Sequence, residues 1–288
     1  MTASTALVAA VIVTHDRREI LRSTVHSLLA QSRPPDRIVV VDSGSPDGAD
    51  DGVLELSPMI DLVAVADNIG VAGGLAVGIR RAAETIDAAW SWLLDDDSPV
   101  GPESLERSLA AAAGIDDLGI LGNRGGWFRR GRIAHRSGPP PAAPMAVDFC
   151  LLDGALVASE AVRRCGVPRE DFFMMHQDLE YPVRLGRAGF RVMISDAVSS
   201  TPAYLGSTPT AAPRSYWRSY YQSRNHLRWV LDDRSAVGVW GWFTREVKIA
   251  VAGFGRGGGG VRKVVLITRG AVDAVRGRMG RTIEPGSR

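Results

Sequence analysis

Residues 89–98 read AWSWLLDDDS, a short apolar run that ends in three consecutive carboxylates. The run is too short for a buried helix and carries two tryptophans, so it predicts a buried strand over 89–94. The strand then delivers Asp95, Asp96 and Asp97 together at its carboxyl end. The same grammar recurs on either side. Residues 6–13 (ALVAAVIV), 37–41 (RIVVV) and 61–66 (DLVAVA) predict three earlier strands, and Leu118 to Leu121 a fifth. Between them, residues 17–31 repeat apolar positions at helical spacing (Ile20, Leu21, Val25, Leu28, Leu29), and helices are expected following NIGVAGG (68–74) to about Ile86 and from Pro102 to Ala113.

This alternation implies an α/β fold, Rossmann-like, with a mainly parallel sheet and helices on both faces. In such sheets ligands bind beyond the carboxyl ends of the strands. Asp42, Asn68 and the run at 95–97 all follow strand ends, so one rim gathers the polar residues. Residues 123–144 are rich in Gly, Pro and Arg and read as a mobile loop. Beyond it, Ala146 to Val157 reads as strand material broken at Asp153-Gly154. A short helix over Ser159 to Cys165, a helix over Gln177 to Ala188 and a strand over Arg191 to Ile194 follow. From Arg214 onward the pattern is helical, with a break at Gly255 to Gly260.

The bulk properties narrow the classes. The chain has 288 residues and a net charge of +2, but residues 1–209 hold 19 basic and 27 acidic residues while 210–288 hold 15 and 5. The expectation is an acidic catalytic domain over 1–209 and a basic helical extension over 210–288. The extension would meet an anionic surface such as a membrane, although a solvated basic face reads equally well. No apolar stretch is long enough to span a bilayer and no signal-peptide pattern opens the chain, so a cytoplasmic, peripheral protein is expected. The two cysteines stand in no metal-binding spacing, and nothing suggests a nucleic-acid partner.

Four groups of residues could carry chemistry, one of them the aromatics and arginines of 214–230, which could hold phosphate or sugar hydroxyls or equally pack a helix on the body. Three adjacent carboxylates repel one another and suit a divalent cation of the Mg²⁺ or Mn²⁺ kind, although a solvated acidic turn would look the same. Asp178, in HQDLEYPVRLGRAGF (176–190), could act as a general base. A carboxylate there could equally favour a helix N-terminus. Glu180 and Arg184 are four apart and could pair on the helix surface. The glycines of NIGVAGG (68–74) could admit a ligand to the backbone or only let a helix pack closely.

The motifs VIVTHDR (11–17), IVVVDSGSPDG (38–48), NIGVAGG, LLDDDS (93–98), LDGALV (152–157), HQDLEYPVRLGRAGF and YYQSRN (220–225), in this order, resemble the family 2 inverting glycosyltransferases with their GT-A fold. By that resemblance Thr14, Asp42 and Asn68 contact the nucleotide part of a donor, with Asp95 and Asp96 beside them. Asp95 and Asp97 hold metal and diphosphate, Asp178 is the catalytic base, and Glu180 and Trp127 face the acceptor. The resemblance further implies a UDP- or dTDP-linked sugar donor and a glycan or polyprenyl-linked glycan acceptor in bacterial envelope synthesis. It is strongest to galactofuranosyltransferases, with rhamnosyltransferases next. Two departures stand out. The family often has a metal-ligating His after the strand at 191–194, yet 195–213 contain none, which implies a more weakly held metal or a substitute in His176 or a water. Gln177 also stands where an acidic residue is frequent. They motivate one rival reading, a membrane-associated scaffold that binds nucleotide-sugar without turning it over. A dehydrogenase or a nucleotidyltransferase would require a glycine-rich loop after the first strand, and THDRRE stands there instead.

Overall fold

A computed structural model describes residues 6–46, 48, 52–129, 132–198, 216–255 and 260–284. Its centre is an eight-stranded sheet in the order β3-β2-β1-β4-β10-β5-β11-β8. The strands are β1 (Val8–Thr14), β2 (Arg37–Ser43), β3 (Ile60–Val65), β4 (Trp90–Asp95), β5 (Leu118–Gly122), β8 (Met145–Ala146), β10 (Leu156–Ala158) and β11 (Arg191–Ile194). The first four pair in parallel, as do β5 and β11. The sheet is not purely parallel, because β10 enters antiparallel between β4 and β5, and β8 edges β11 antiparallel.

The apolar runs are continuous because both faces are covered. Alternate residues of β1 and β2 feed different cores: Ala9, Val11, Val39 and Val41 lie in one, and Val8, Ala10, Ile12, Ile38 and Val40 in the other. Helix α2 (Gly70–Arg80) packs Leu75 and Ile79 on the first face. On the second, α1 (Arg18–Leu29) contributes Leu21, Val25 and Leu28, and α3 (Ser104–Ala112) contributes Leu105 and Leu109. A Cβ at Gly74 would stand 2.3 Å from Val13 Cγ1, so the glycine lets α2 lie close on β1.

The segment expected to be a mobile loop is instead a hairpin. Strands β6 (Gly125–Arg129) and β7 (Arg132–Arg136) pair antiparallel, and β9 (Phe149–Cys150) adds a third strand to this small sheet. Its composition reads as loop, but Trp127 packs on the main core and Phe128 on Trp229. This tertiary burial overrides local propensity.

After α4 (Ser159–Cys165) and α5 (Gln177–Arg187), three helices complete the described chain: α6 (Trp217–Asp232), α7 (Ala236–Gly255) and α8 (Gly260–Val275). The expected boundary at 209/210, like Arg214, lies outside the described residues. A Cβ at Gly270 would sit 2.6 Å from Tyr220 O, which shows how closely α8 crosses α6. Among the described residues no helix is long and apolar enough to cross a membrane.

Candidate active site

The carboxyl ends of the parallel strands bring four stretches of chain together. Asp95 ends β4, and its backbone N–H donates to Asp153 Oδ1 at 3.1 Å. Asp153 Oδ2 accepts from the Ser98 hydroxyl at 3.1 Å. Next along the chain, Leu152 N–H donates to Asp178 Oδ1 at 3.2 Å. The turn before β10 therefore holds Asp153 against the 95–98 segment and ties Asp178 in from the first turn of α5.

The electrostatics match this crowding. Asp95 is held well above the usual carboxylate range, first by desolvation and then by repulsion from Asp153, Asp178, Asp97 and Asp96. Its side chain is exposed, so water moderates the first cause; the repulsion acts in the same direction. Burial also raises Asp153, against the N–H of Asp95 and the Ser98 hydroxyl. Asp178 is pushed up to about 6, by burial first and by Asp153, although the Leu152 N–H pulls the other way. The start of a helix would lower a carboxylate, so here desolvation wins.

Arg17 answers part of this negative charge. Its Nη1 lies 3.1 Å from both Asp96 Oδ1 and Asp97 Oδ2. Asp96 is buried, accepts the Thr14 hydroxyl at 2.9 Å and accepts Thr24 at its backbone oxygen at 2.6 Å. Asp96 is thus the structural member of the triplet, while Asp95 and Asp97 are left at the rim. Among the described residues no three His, Cys, Asp or Glu side chains stand together as a complete ion site. The crowded carboxylates fit a cation that takes two protein ligands and completes its shell with diphosphate and water, the usual habit of Mg²⁺.

The other expected site residues fall in different places. Asp42 is buried at the end of β2 and accepts from Ser45 through both its backbone N–H (3.1 Å) and its hydroxyl (2.5 Å). Asn68 Oδ1 accepts the Gly70 N–H at 2.9 Å and the Ser43 hydroxyl at 3.4 Å, which fixes the entry to α2. The NIGVAGG glycines serve close packing, for a Cβ at Gly70 would lie 2.2 Å from Phe173 O. Glu180 is buried and gives its carboxylate to Arg184 at 2.6 Å, while Arg184 Nη2 also reaches Val167 O at 2.8 Å. That is the i,i+4 pairing, and these contacts give no support to an acceptor role. Trp127 packs on the core, whereas its neighbour Phe128 lines a cavity. His176 stacks on His226 at 5.0 Å, with Arg245 as a charged neighbour. These contacts do not support a metal role for His176.

Sequence reasoning missed the device that aims Asp178. Phe173 (φ 64°, ψ −59°) forms a strained γ-turn, with Met174 N–H donating to Phe172 O at 2.7 Å. Met175 (φ 67°) and His176 (φ 71°) are also left-handed. Each such residue costs about 1–3 kcal/mol. The loop's carbonyls are captured in compensation. Asn225 Nδ2 donates to Phe172 O (3.0 Å), Met174 O (2.7 Å) and Met175 O (2.9 Å). Arg224 Nη2 adds a bond to Phe172 O at 3.0 Å, and Ala72 N–H one to Phe173 O at 3.0 Å. The loop hands the chain to α5 two residues before Asp178.

Comparison with known proteins agrees with this architecture. Residues 9–152, half of the chain, match glycosyl transferase family 2. The galactofuranosyltransferase GlfT1 of Mycolicibacterium smegmatis is 29% identical over 203 residues, covering 64% of this chain and 67% of that protein. GlfT1 of Mycobacterium tuberculosis is 32% identical over 212 residues, covering 64% and 66%. The chain thus spans about two thirds of the length of these relatives. Among solved structures, the mannosyltransferase PcManGT from Pyrobaculum calidifontis in complex with GDP-Man and Mn²⁺ superposes with a TM-score of 0.54 at 15% identity, over 96% of this chain and 83% of that one. GalNAc-T7 with UDP, GalNAc and Mn²⁺ superposes with a TM-score of 0.59 at 13% identity, over 78% and 47%. The fold is GT-A, and the chain belongs to glycosyl transferase family 2.

Proposed function

We propose that this glycosyltransferase transfers galactofuranose, with rhamnose as the next candidate, from a UDP- or dTDP-linked donor to a glycan hydroxyl, with inversion. The observation that carries the reading is the convergence of Asp95, Asp153 and Asp178, which come from separate stretches of chain yet repel one another. Likeness to two mycobacterial galactofuranosyltransferases supports the sugar.

In this reading Asp178 removes the proton from the acceptor hydroxyl as that oxygen forms its bond to the anomeric carbon. The bond from that carbon to the diphosphate oxygen breaks, and its electron pair leaves with the nucleotide. One displacement inverts the centre, and no covalent sugar–enzyme species forms. Asp95 and Asp97 would hold Mg²⁺ or Mn²⁺, which when bound would neutralise charge growing on the leaving diphosphate. The presence of Mn²⁺ in the structures of PcManGT and GalNAc-T7 supports the metal. Thr14 steadies Asp96, and Asp42 and Asn68 shape the floor on which the nucleotide would lie. The acceptor is a glycan, free or polyprenyl-linked.

A peripheral membrane position has its own support. Val237, Trp240, Phe243, Val247, Val251 and Phe254 are all exposed and recur every three or four residues along α7. Such an apolar stripe on a basic extension suits an anionic bilayer surface.

The test is a donor screen read as nucleotide release with Mn²⁺, comparing the native chain with Asp178→Ala and Asp97→Ala. Turnover of a galactofuranose donor that both substitutions abolish is expected. Saturable donor binding without turnover on any glycan acceptor would favour the scaffold reading, which the engagement of Arg17 with Asp96 and Asp97 motivates.

A further inference from the structure

Beyond α8 the chain folds back onto the body. Residues 278–284 have no helix or strand of their own, yet they meet the strained loop that precedes α5. Gly280 N–H donates to Asp171 O at 2.7 Å. Met279 packs in the cluster that holds Phe172, and Ile283 in the cluster that holds Phe173. The Tyr221 hydroxyl of α6 donates to Ile283 O at 2.7 Å. The segment thus grips both aromatic residues of the γ-turn.

Arg224 joins this segment to the loop. Its side chain is fully buried. Nη1 donates to Gly280 O at 2.7 Å and to Thr282 Oγ1 at 3.0 Å. Nη2 donates to Phe172 O at 3.0 Å, and Nε to Asn225 Oδ1 at 2.9 Å. The last bond fixes which end of the Asn225 amide carries the N–H groups, and so turns Nδ2 toward the loop carbonyls.

The carboxylate that answers this buried cation lies two hydroxyls away. Tyr220 donates to Asp273 Oδ2 at 2.7 Å, and Asp273 is buried. With its one proton given there, Tyr220 accepts from the Thr282 hydroxyl at 2.6 Å. Thr282 Oγ1 is left to accept from Arg224. Arg224, Thr282, Tyr220 and Asp273 therefore form one chain of hydrogen bonds, in which each bond polarises the next. Thr282 is the member that the 278–284 segment supplies. Without that segment Nη1 loses both acceptors, and a buried charge so stripped turns toward water. It then leaves Phe172 O and Asn225 behind.

We propose that residues 278–284 are a strap that positions the catalytic base, with Arg224 as the positioning residue that carries their grip through Asn225 to the loop ahead of Asp178. The proposal rests on the function proposed above in naming Asp178 as the base.

The test compares the full chain with Thr282→Val and with a chain ended after Gly277. Hydrogen exchange reads the loop without any substrate. Amides of 172–179 should exchange at least threefold faster in Thr282→Val and at least tenfold faster in the shortened chain, with β1 and β4 unchanged. Unchanged exchange at 172–179, or equal acceleration in β1 and β4, would overturn the strap. Turnover is then measured with Mn²⁺ on two nucleophiles, a glycan hydroxyl and azide. Azide attacks the anomeric carbon with no proton to lose, so it has no use for a base. The kcat for glycan transfer should fall at least threefold in Thr282→Val and at least thirtyfold in the shortened chain. The donor KM and the azide reaction should stay within twofold. Equal losses with both nucleophiles would overturn positioning of the base and leave the strap a stabilising contact alone. If the shortened chain does not fold, Thr282→Val carries each comparison. Asp178→Ala separates the two readings: full glycan transfer by that variant would sink the base assignment and leave the exchange result standing.

Discussion

The backbone N–H of Asp95 donates to the carboxylate of Asp153 at 3.1 Å, although the two side chains repel each other. One bond therefore fixes the turn before β10 to the end of β4, and it holds two negative charges closer than either would settle alone. That stored repulsion is what a cation would relieve.

Asp153→Asn keeps an oxygen for the Asp95 N–H and removes the charge. Thermal unfolding of the metal-free protein should show a gain of about 1 kcal/mol, and turnover with Mn²⁺ should fall at least tenfold. A loss of stability would mean that the hydrogen bonds of Asp153 outweigh the repulsion at this site.

Arg17→Gln tests the same charge from the other side. Arg17 is half exposed, so its ties to Asp96 and Asp97 are worth about 0.5–1 kcal/mol. The metal-free protein should lose that much. Mn²⁺ should then raise the unfolding temperature more in the variant than in the native chain, because no guanidinium competes for Asp97. An equal metal-induced shift in both proteins would contradict the competition.

The pH dependence follows from Asp178. Its folded-state value of about 6 lies above that of an unfolded aspartate, so the folded chain binds this proton more tightly. Stability from this source is full below about pH 4, is lost as pH rises through 6, and is absent at neutrality. Activity runs the opposite way, because the base must be unprotonated. The kcat/KM for the donor should drop about tenfold per unit below pH 6 and level off above it. Asp178→Asn should stabilise the protein at pH 7 but not at pH 4, as read by chemical denaturation.

Asn225→Ala leaves the Met174 and Met175 carbonyls of the strained loop without their side-chain donor, while Phe172 O keeps Arg224. The expected cost is about 2–4 kcal/mol. Because the loop aims Asp178, kcat should fall more than tenfold with little change in KM for the donor. Leu28→Ala, in the core under α1, provides a variant of similar stability loss. It should keep its kcat below the unfolding range, and equal losses of kcat in the two would reduce Asn225 to a purely structural role.

What the sequence revealed was local. Short continuous β-branched runs bounded by turn residues, such as 37–41, favour strands buried on both faces, so β1 to β5 and their polar ends could be read directly. The antiparallel insertion of β10 and the hairpin at 125–136 could not, because three residues of β10 and a Gly-, Pro- and Arg-rich stretch become strands only through partners far along the chain. Asp153 before Gly154 looks like an ordinary turn, and only its bonds to Asp95 and Ser98 mark it as part of the site. Asn225 was visible within YYQSRN but carried no signal of its target 50 residues upstream. His176 adjoins Asp178 in sequence, yet at the entry to α5 it stacks on His226, while Glu180 takes the Arg184 partner that its spacing offered.

The most direct measurement is a crystal structure of the chain grown with UDP and Mn²⁺, with the metal located by its anomalous scattering. The account predicts one strong peak about 2.1 Å from carboxylate oxygens of Asp95 or Asp97, with the diphosphate on its far side and Asp178 facing the open sugar position. A peak elsewhere, or a nucleotide seated at the opposite rim near Leu7, Asp36 and Arg81, where a second cavity opens, would contradict it.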